Sequence, residues 1–387
     1  MERQLEFQYS SEQQALKAEA RRFLSEQAPL SKARAVLDRG DGGYDAELWA
    51  QLGDLGWCGA ALPEAYGGHG MGYVELCALA EELGRSLAPV PFASTIYQFA
   101  EALLVAGSEE QKASLAPQIA EGRVTGVLAL SEQAGPLASG ETRTAVRGGA
   151  IFGRKAPVVD GMTADYAAVL AKDEAGREGL YLVDLRGPGV AREHVSTLDP
   201  SRGAAILRFD GAAQTPLGQG AAARSVLPRI LDRAAVLLAF EQLGGAERCL
   251  EMARDYALQR YTFGRPIGSY QAIKHKLADV YVKNAVARAN CLYAAWALST
   301  DAPELAVAAA AARIAASEAY ALASKENIQT HGGIGFTWEA DCHLFFRRAR
   351  HLSLLIGAPR EWKRKLVAEL EAMEPEAAPR READNDA

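Results

Sequence analysis

Residues 223–260, ARSVLPRILDRAAVLLAFEQLGGAERCLEMARDYALQR, are the stretch that decides how this chain folds. Their apolar residues recur every three or four positions, which is the period of an amphipathic α-helix. The same period returns in residues 270–299 and 304–331. Three long amphipathic helices predict an antiparallel helical bundle in this part of the chain.

The pattern changes on the N-terminal side of this stretch. Helical periodicity, with a serine cap at the start of residues 10–28, is found within residues 1–120. From about residue 122 the chain instead contains short β-type runs separated by Gly, Pro and Asp. These runs are VTGVLAL, YAAVLAK, GLYLVDL and AAILRFD. We therefore expect a small β domain between two helical regions.

The predicted organisation is an α+β multidomain chain. Residues 1–120 form a helical N-terminal domain, residues 121–222 a middle β domain, and residues 223–370 the C-terminal bundle. Residues 371–387 are rich in Pro, Ala and acidic residues and have little to bury, which predicts a disordered tail.

The composition is that of a soluble globular protein. The chain has 387 residues, of which 49% are hydrophobic and 24% charged, so it can bury a sizeable core. Its formal net charge of -7 provides no broad attraction to nucleic acid or to an anionic membrane. Neither is therefore an expected partner.

Cysteine usage and the N-terminus favour a cytoplasmic protein. The five cysteines show no C-x-x-C pair and no zinc-finger spacing, which predicts reduced, mostly buried thiols and no structural metal. The first residues are polar and acidic, and no run of 18 apolar residues occurs, which disfavours secretion and membrane insertion.

Four stretches carry a resemblance to a known family. They are LGDLGWCGAALPEAYGGHGMGYVELCALAEELGR (52–85), LALSEQAG (128–135), RYTFGRPIGSYQAIKHKLADVYV (260–282) and IQTHGGIGFTWEADCHLFFRRAR (328–350). In residue identity, order and spacing they resemble the acyl-CoA dehydrogenase family, over nearly the whole chain. The resemblance implies a helical N-terminal domain, a middle β-barrel-like domain and a C-terminal four-helix bundle. It also implies a dimer or tetramer, homomeric or heteromeric, with FAD between subunits.

The resemblance further implies the reaction. Family members use a base to remove the α proton of an acyl-CoA thioester while the β hydride passes to the flavin, which gives a trans-2-enoyl-CoA. The electrons then pass to an electron-transfer flavoprotein. An acyl-CoA and such a flavoprotein are therefore the expected partners, in lipid catabolism.

Family matching assigns one set of residues to the ADP half of FAD. Arg260, Phe263 and Gln271 contact this half, while Gln329, Gly332 and Gly333 reach the FAD of the neighbouring subunit. A guanidinium can grip a pyrophosphate bidentately, and glycines let backbone N–H groups approach phosphate or sugar oxygens. Taken alone, the arginine also suits a surface salt bridge and the glycines a helix C-cap.

A second set matches the segments that contact the flavin ring. Leu130 and Ser131 would place backbone groups against the pyrimidine edge, although a strand that ends in a turn explains LALSEQAG equally well. Residues 157–161 read PVVDG where many relatives have an aromatic–Ile–Thr–Asn–Gly run. The threonine expected near flavin N5 is therefore Val159, which has no hydroxyl.

The catalytic acid is missing from both positions where the family places it. The usual position matches Ile356, and the second arrangement places the base at about Ala234. Glu241 lies two helical turns after Ala234 and is the remaining candidate for the base. Gly244 and Gly245 leave space on its face for a ligand or another backbone. In an apolar run the carboxylate would be partly desolvated, which raises its pKa towards that of a useful base.

Alternatives remain open at this point. Glu241 also suits a structural acid, paired with Arg248 or with a neighbouring helix. The chain is an active dehydrogenase through Glu241 or through a sister chain, or a non-catalytic, half-site subunit of a heteromeric dehydrogenase. It also suits a family-like flavin oxidase or monooxygenase that acts on another substrate.

Overall fold

The fold was analysed in a computed structural model that describes residues 9–135, 137, 141–218 and 223–373. Residues 371–373 belong to the last helix rather than to a tail. The rest of the predicted disordered tail, residues 374–387, lies outside the described residues. The division of the chain into domains at residues 120 and 222 stays a prediction.

Six α-helices form the N-terminal part. They are α1 (Ser11–Gln27), α2 (Leu30–Arg39), α3 (Ala46–Asp54), α4 (Tyr73–Ser86), α5 (Glu101–Ala106) and α6 (Glu109–Ala120). A π-helical segment, Ala93–Ala100, leads directly into α5. Capping boxes at Ser10 and Ser108 begin α1 and α6, and each pairs its serine with a glutamine three residues later.

Eight strands form one mixed sheet in the middle of the chain. They are β1 (Gly126–Ala129), β2 (Ala145–Arg147), β3 (Ala150–Val159), β4 (Tyr166–Lys172), β5 (Glu178–Asp184), β6 (Val190–Val195), β7 (Ala204–Ala213) and β8 (Thr215–Pro216). Their order is β6-β7-β3-β2-β4-β5-β8, and β1 pairs in parallel with β4. The β domain is thus confirmed, but the sheet is open. In the described residues the terminal strands of this order, β6 and β8, do not pair with each other, so the sheet does not close into a barrel.

The helical C-terminal part is also confirmed. It contains α7 (Ala223–Gln259), the hairpin β9 (Tyr261–Thr262) and β10 (Arg265–Pro266), α8 (Gln271–Ser299), α9 (Leu305–His331), α10 (Cys342–Leu354) and α11 (Pro359–Met373). The other four helices all pack against α9. By length and composition α9 is apolar enough to cross a membrane, yet 56% of its most apolar window is buried by these neighbours. Its position is that of the central helix of a packed bundle.

Glycines bring α4 and α7 unusually close together. A Cβ on Gly84 would lie 1.9 Å from the backbone oxygen of Glu241, and a Cβ on Gly244 would lie 1.8 Å from that of Glu81. The ring of Tyr320 covers Gly245 in the same way. The space that these glycines leave beside Glu241 is therefore filled by protein, with another backbone against Gly244.

The cysteines and the acidic residues give no sign of a metal centre. All five cysteines are buried and none is in a disulfide. Within the described ranges, no three His, Cys, Asp or Glu side chains are grouped as metal ligands would be.

We predict that Gly84→Ala destabilises the fold strongly, because the added methyl group meets a backbone oxygen that cannot move without separating α4 from α7. The expected loss in the free energy of unfolding is on the order of 3 kcal/mol, at the upper end for overpacking. Denaturant unfolding measures it. Gly333→Ala is the matched control, since a Cβ there meets nothing within 4 Å. Equal stabilities for the two variants would contradict this account of the α4–α7 contact.

Candidate functional site

One end of the bundle gathers the residues that the sequence assigned to the ADP half of FAD and those assigned to the FAD of the neighbouring subunit. The rings of Tyr256, near the end of α7, and His331, at the end of α9, stack with centroids 4.2 Å apart. This stacking brings the β9–β10 hairpin and the glycines after α9 to the same end of the bundle. Gln271 and Gln329 are exposed there.

The backbone at this end is open to a ligand. Phe263 is 94% exposed in the hairpin turn, and Gly332 has a positive φ of 64°. A Cβ added to Gly264, Gly332 or Gly333 would meet nothing within 4 Å. Phosphate or sugar oxygens can therefore approach these backbone groups closely.

Arg260 completes this surface. It is exposed directly after α7, and no carboxylate among the described residues forms an ion pair with it. A guanidinium with free donors suits a pyrophosphate. The surface as a whole fits the ADP half of a dinucleotide, while the individual contacts stay predictions.

The second predicted set lies where β1 ends against β3. The Leu130 carbonyl accepts a hydrogen bond from the Lys155 ammonium at 3.0 Å, and the Ser131 carbonyl accepts one from the Ala156 N–H at 2.8 Å. No acceptor in the described part of the chain takes the N–H of Leu130 or Ser131. These two amides fit the pyrimidine edge of a flavin ring, which carries both oxygen and nitrogen acceptors. Val159, the third member of the set, ends β3 opposite Ala204 and is partly exposed.

Both positions that carry the base in the family are aliphatic and buried. Ala234 is 0% exposed on α7, and Ile356 is 7% exposed after α10. Ile356 also has a φ of 57°, which a β-branched residue rarely adopts. Neither side chain accepts a proton.

Arg313 holds the backbone in front of Ile356. This α9 side chain is buried, and its guanidinium donates to the carbonyls of Leu352 and Leu355, to the latter at 2.8 Å. It also donates to the Gln242 side-chain carbonyl. Burial lowers its pKa to about 9, which still leaves the guanidinium charged at neutral pH. A fixed cation thus neighbours the place where the family has a carboxylate.

Glu241 is buried between two arginines. It is 4% exposed, with the Arg348 guanidinium 3.6 Å and the Arg202 guanidinium 3.9 Å from its carboxylate. Burial raises its pKa, and the two arginines offset part of that rise. Arg248, the partner considered from the sequence, instead contacts Glu251 at 3.3 Å. A base role for Glu241 stays a prediction, and its contacts favour the structural alternative.

The two arginines belong to a buried charge network between the sheet and the bundle. Arg202 donates to Asp160 at 2.6 Å, and Arg348 donates to Asp199 at 2.6 Å. All four residues are buried, none with more than 5% of its surface exposed. With Glu241 the network has three carboxylates and two guanidinium groups, and it extends from β3 to α10.

Sequence reasoning missed the side chains that organise this interior, Lys155, Arg202, Arg313 and Arg348. Lys155 had little local signal, because it directly follows another charged residue, Arg154, in β3. The arginines had none, since each reads as an ordinary surface charge until its partners on other elements are known.

Family models match both helical parts of the chain. The acyl-CoA dehydrogenase N-terminal domain matches residues 10–123, and the acyl-CoA dehydrogenase C-terminal domain matches residues 224–370.

Individual relatives agree with these matches. Acyl-CoA dehydrogenase IpdE2 of Mycobacterium tuberculosis is 35% identical over 93% of this chain and 97% of its own. A variant of the steroid ACAD Tcur3481-Tcur3483 has a TM-score of 0.83 and 32% identity over 93% of this chain and 99% of that one. The ChsE4-ChsE5 complex of M. tuberculosis has a TM-score of 0.85 and 27% identity over 96% and 100%. The chain therefore belongs to the acyl-CoA dehydrogenase family of FAD-dependent oxidoreductases.

Proposed function

We propose that this chain is the base-lacking subunit of a two-chain acyl-CoA dehydrogenase that converts an acyl-CoA thioester to its trans-2-enoyl-CoA. One observation carries the proposal: the surfaces suited to FAD are open, while aliphatic side chains fill both base positions and arginines enclose Glu241. The chain can therefore hold cofactor without holding a proton acceptor beside it.

The cofactor-holding role rests on two surfaces. Arg260, Phe263 and Gln271 would contact the ADP half of FAD, and Gln329 with the glycines after α9 would reach the FAD of the neighbouring subunit. The amides of Leu130 and Ser131 would face the pyrimidine edge. When bound, FAD supplies the acceptor for the β hydride. These residues bind and orient it, and none of them removes the α proton.

A sister chain of the same family supplies the missing carboxylate. The solved relatives Tcur3481-Tcur3483 and ChsE4-ChsE5 each carry the names of two chains, which supports an assembly of unlike subunits. The Ile356 N–H has no acceptor among the described residues, so it can still donate to a thioester carbonyl. Substrate binding can thus survive the loss of the base.

The remaining features follow from this assignment. We propose that electrons leave to an electron-transfer flavoprotein and that the complex works in the cytoplasm. The steroid ACAD among the relatives favours a bulky, ring-bearing acyl group over a short straight chain. A self-sufficient dehydrogenase that uses Glu241 is the second candidate, and the raised pKa of that carboxyl is the observation that favours it.

Anaerobic flavin bleaching tests the assignment. The chain purified alone, loaded with FAD, is expected to stay yellow with straight-chain and steroid acyl-CoAs. Co-expression with a homologous chain from the same organism that has a glutamate at the position of Ile356 is expected to give a complex that bleaches. Ile356→Glu in the chain alone shows whether only the base is missing. Bleaching by the unmodified chain alone would contradict the proposal.

We predict that Glu241→Gln leaves the bleaching rate of the complex within about twofold of wild type. A general base contributes roughly 10²–10⁴-fold, so a loss of that size would instead identify Glu241 as the base. The purified FAD-loaded complex gives the rate by stopped flow. Ala234→Gly on the same helix is the control for effects of altered packing.

The stability of Glu241→Gln is expected to depend on pH. Because the pKa of Glu241 is raised in the folded state, ionising it costs stability as pH rises from the ordinary value of 4.5 through the folded pKa. Glutamine does not ionise, so the unfolding free energy of the variant relative to wild type should increase over this window. Denaturant unfolding measured from below pH 4.5 upwards gives the difference. A difference that decreases with pH would contradict the raised pKa.

A further inference from the structure

Lys155 is a fully buried lysine beside the flavin-ring surface. It is 0% exposed in β3, and its ammonium lies 3.0 Å from both the Leu130 carbonyl and a Glu132 carboxylate oxygen. Burying an ammonium is costly unless its donors are used. A lysine held in this way therefore needs a structural or functional reason.

The contacts of Lys155 fix the direction of the Leu130–Ser131 backbone. The Lys155 ammonium donates to the Leu130 carbonyl, and the adjacent Ala156 N–H donates to the Ser131 carbonyl at 2.8 Å. Both carbonyls are thus tied to β3, while no acceptor in the described ranges takes the two amides. The Leu130–Ser131 backbone, held in this way by β3, therefore presents two free N–H donors to a ligand.

Glu132 keeps the ammonium in place. Its carboxylate accepts the backbone N–H groups of Arg143 at 3.0 Å and Thr144 at 2.8 Å in addition to Lys155. Burial acts to raise the pKa of Glu132, but hydrogen bonds from Thr144 and Lys155 lower it on balance. The result is a fixed ion pair whose positive end also contacts the Leu130 carbonyl.

We propose that Lys155 is a positioning residue for FAD, which presents the Leu130 and Ser131 amides to the flavin ring and makes the bound flavin easier to reduce. Reduction adds negative charge to the ring, and a buried ammonium stabilises that charge better than solvent-exposed lysines do. Glu132 opposes this effect, so Lys155 raises the reduction potential of the flavin and Glu132 lowers it. The inference adds to the proposed function and rests on FAD binding by this chain.

The test is the flavin reduction potential of the FAD-loaded complex, measured by dye equilibration without acyl-CoA. In Lys155→Met, the affinity for oxidised flavin divided by that for reduced flavin should rise at least tenfold. A tenfold rise in this ratio lowers a two-electron potential by about 30 mV. Glu132→Gln should shift it in the opposite direction. Lys155→Arg keeps the charge and should stay close to wild type. Lys172→Met is the matched control, because that lysine pairs with Glu141 at the surface.

Opposite shifts exclude general damage to the fold, which would move both variants the same way. If Lys155→Met folds but releases FAD, the positioning role is supported and Glu132→Gln still tests the charge. An unchanged potential in both variants, with FAD retained, would overturn the inference. Failure of the proposed function would appear differently, as bleaching by the chain alone, because the potential is measured without any proton removal.

Discussion

The fold depends on pairing buried carboxylates with guanidinium groups at the contact between the sheet and the bundle. Charges removed from water are stable only beside partners in good geometry. Here Asp199, from the sheet side, pairs with Arg348 of α10, and Arg202, which Asp160 holds on the sheet side, lies beside Glu241 of α7. The Asp199–Arg348 and Arg202–Glu241 contacts are completed only when both sides are in place, so they specify how the sheet sits on the helices.

This arrangement also supports the structural alternative for Glu241. Glu241 stands at the centre of the network, and the backbone of α4 lies against α7 at the same level through Gly84. A carboxylate acts as a base when it can reach a substrate proton. A buried carboxylate that balances the charge of two guanidinium groups, where the backbones of α4 and α7 are in contact, suits a role in packing.

The sequence predicted the elements well and the interior poorly, for a physical reason. Helical and β periodicity depend on each segment's own burial, so the order of helices, strands and helices was readable, as were the exposed glycines after α9. The open sheet was not readable, because it depends on whether the terminal strands β6 and β8 meet, which no single segment encodes. The same holds for Lys155 and Arg313, whose roles arise from carbonyls on distant segments. The assignment of the ADP-side residues relied on family resemblance, and the structure adds that they share one exposed surface.

The contrast between surface and interior bears on the chain's role. Residues suited to hold a dinucleotide lie at an exposed end of the bundle, where Phe263 and Phe336 leave most of their rings uncovered. Exposed aromatic rings of this size are typical of surfaces that another molecule covers. Inside, by contrast, the base positions are aliphatic and the nearest cation, Arg313, is committed to backbone carbonyls. This contrast between an open cofactor surface and aliphatic base positions is what supports the proposal that a second chain supplies the proton acceptor.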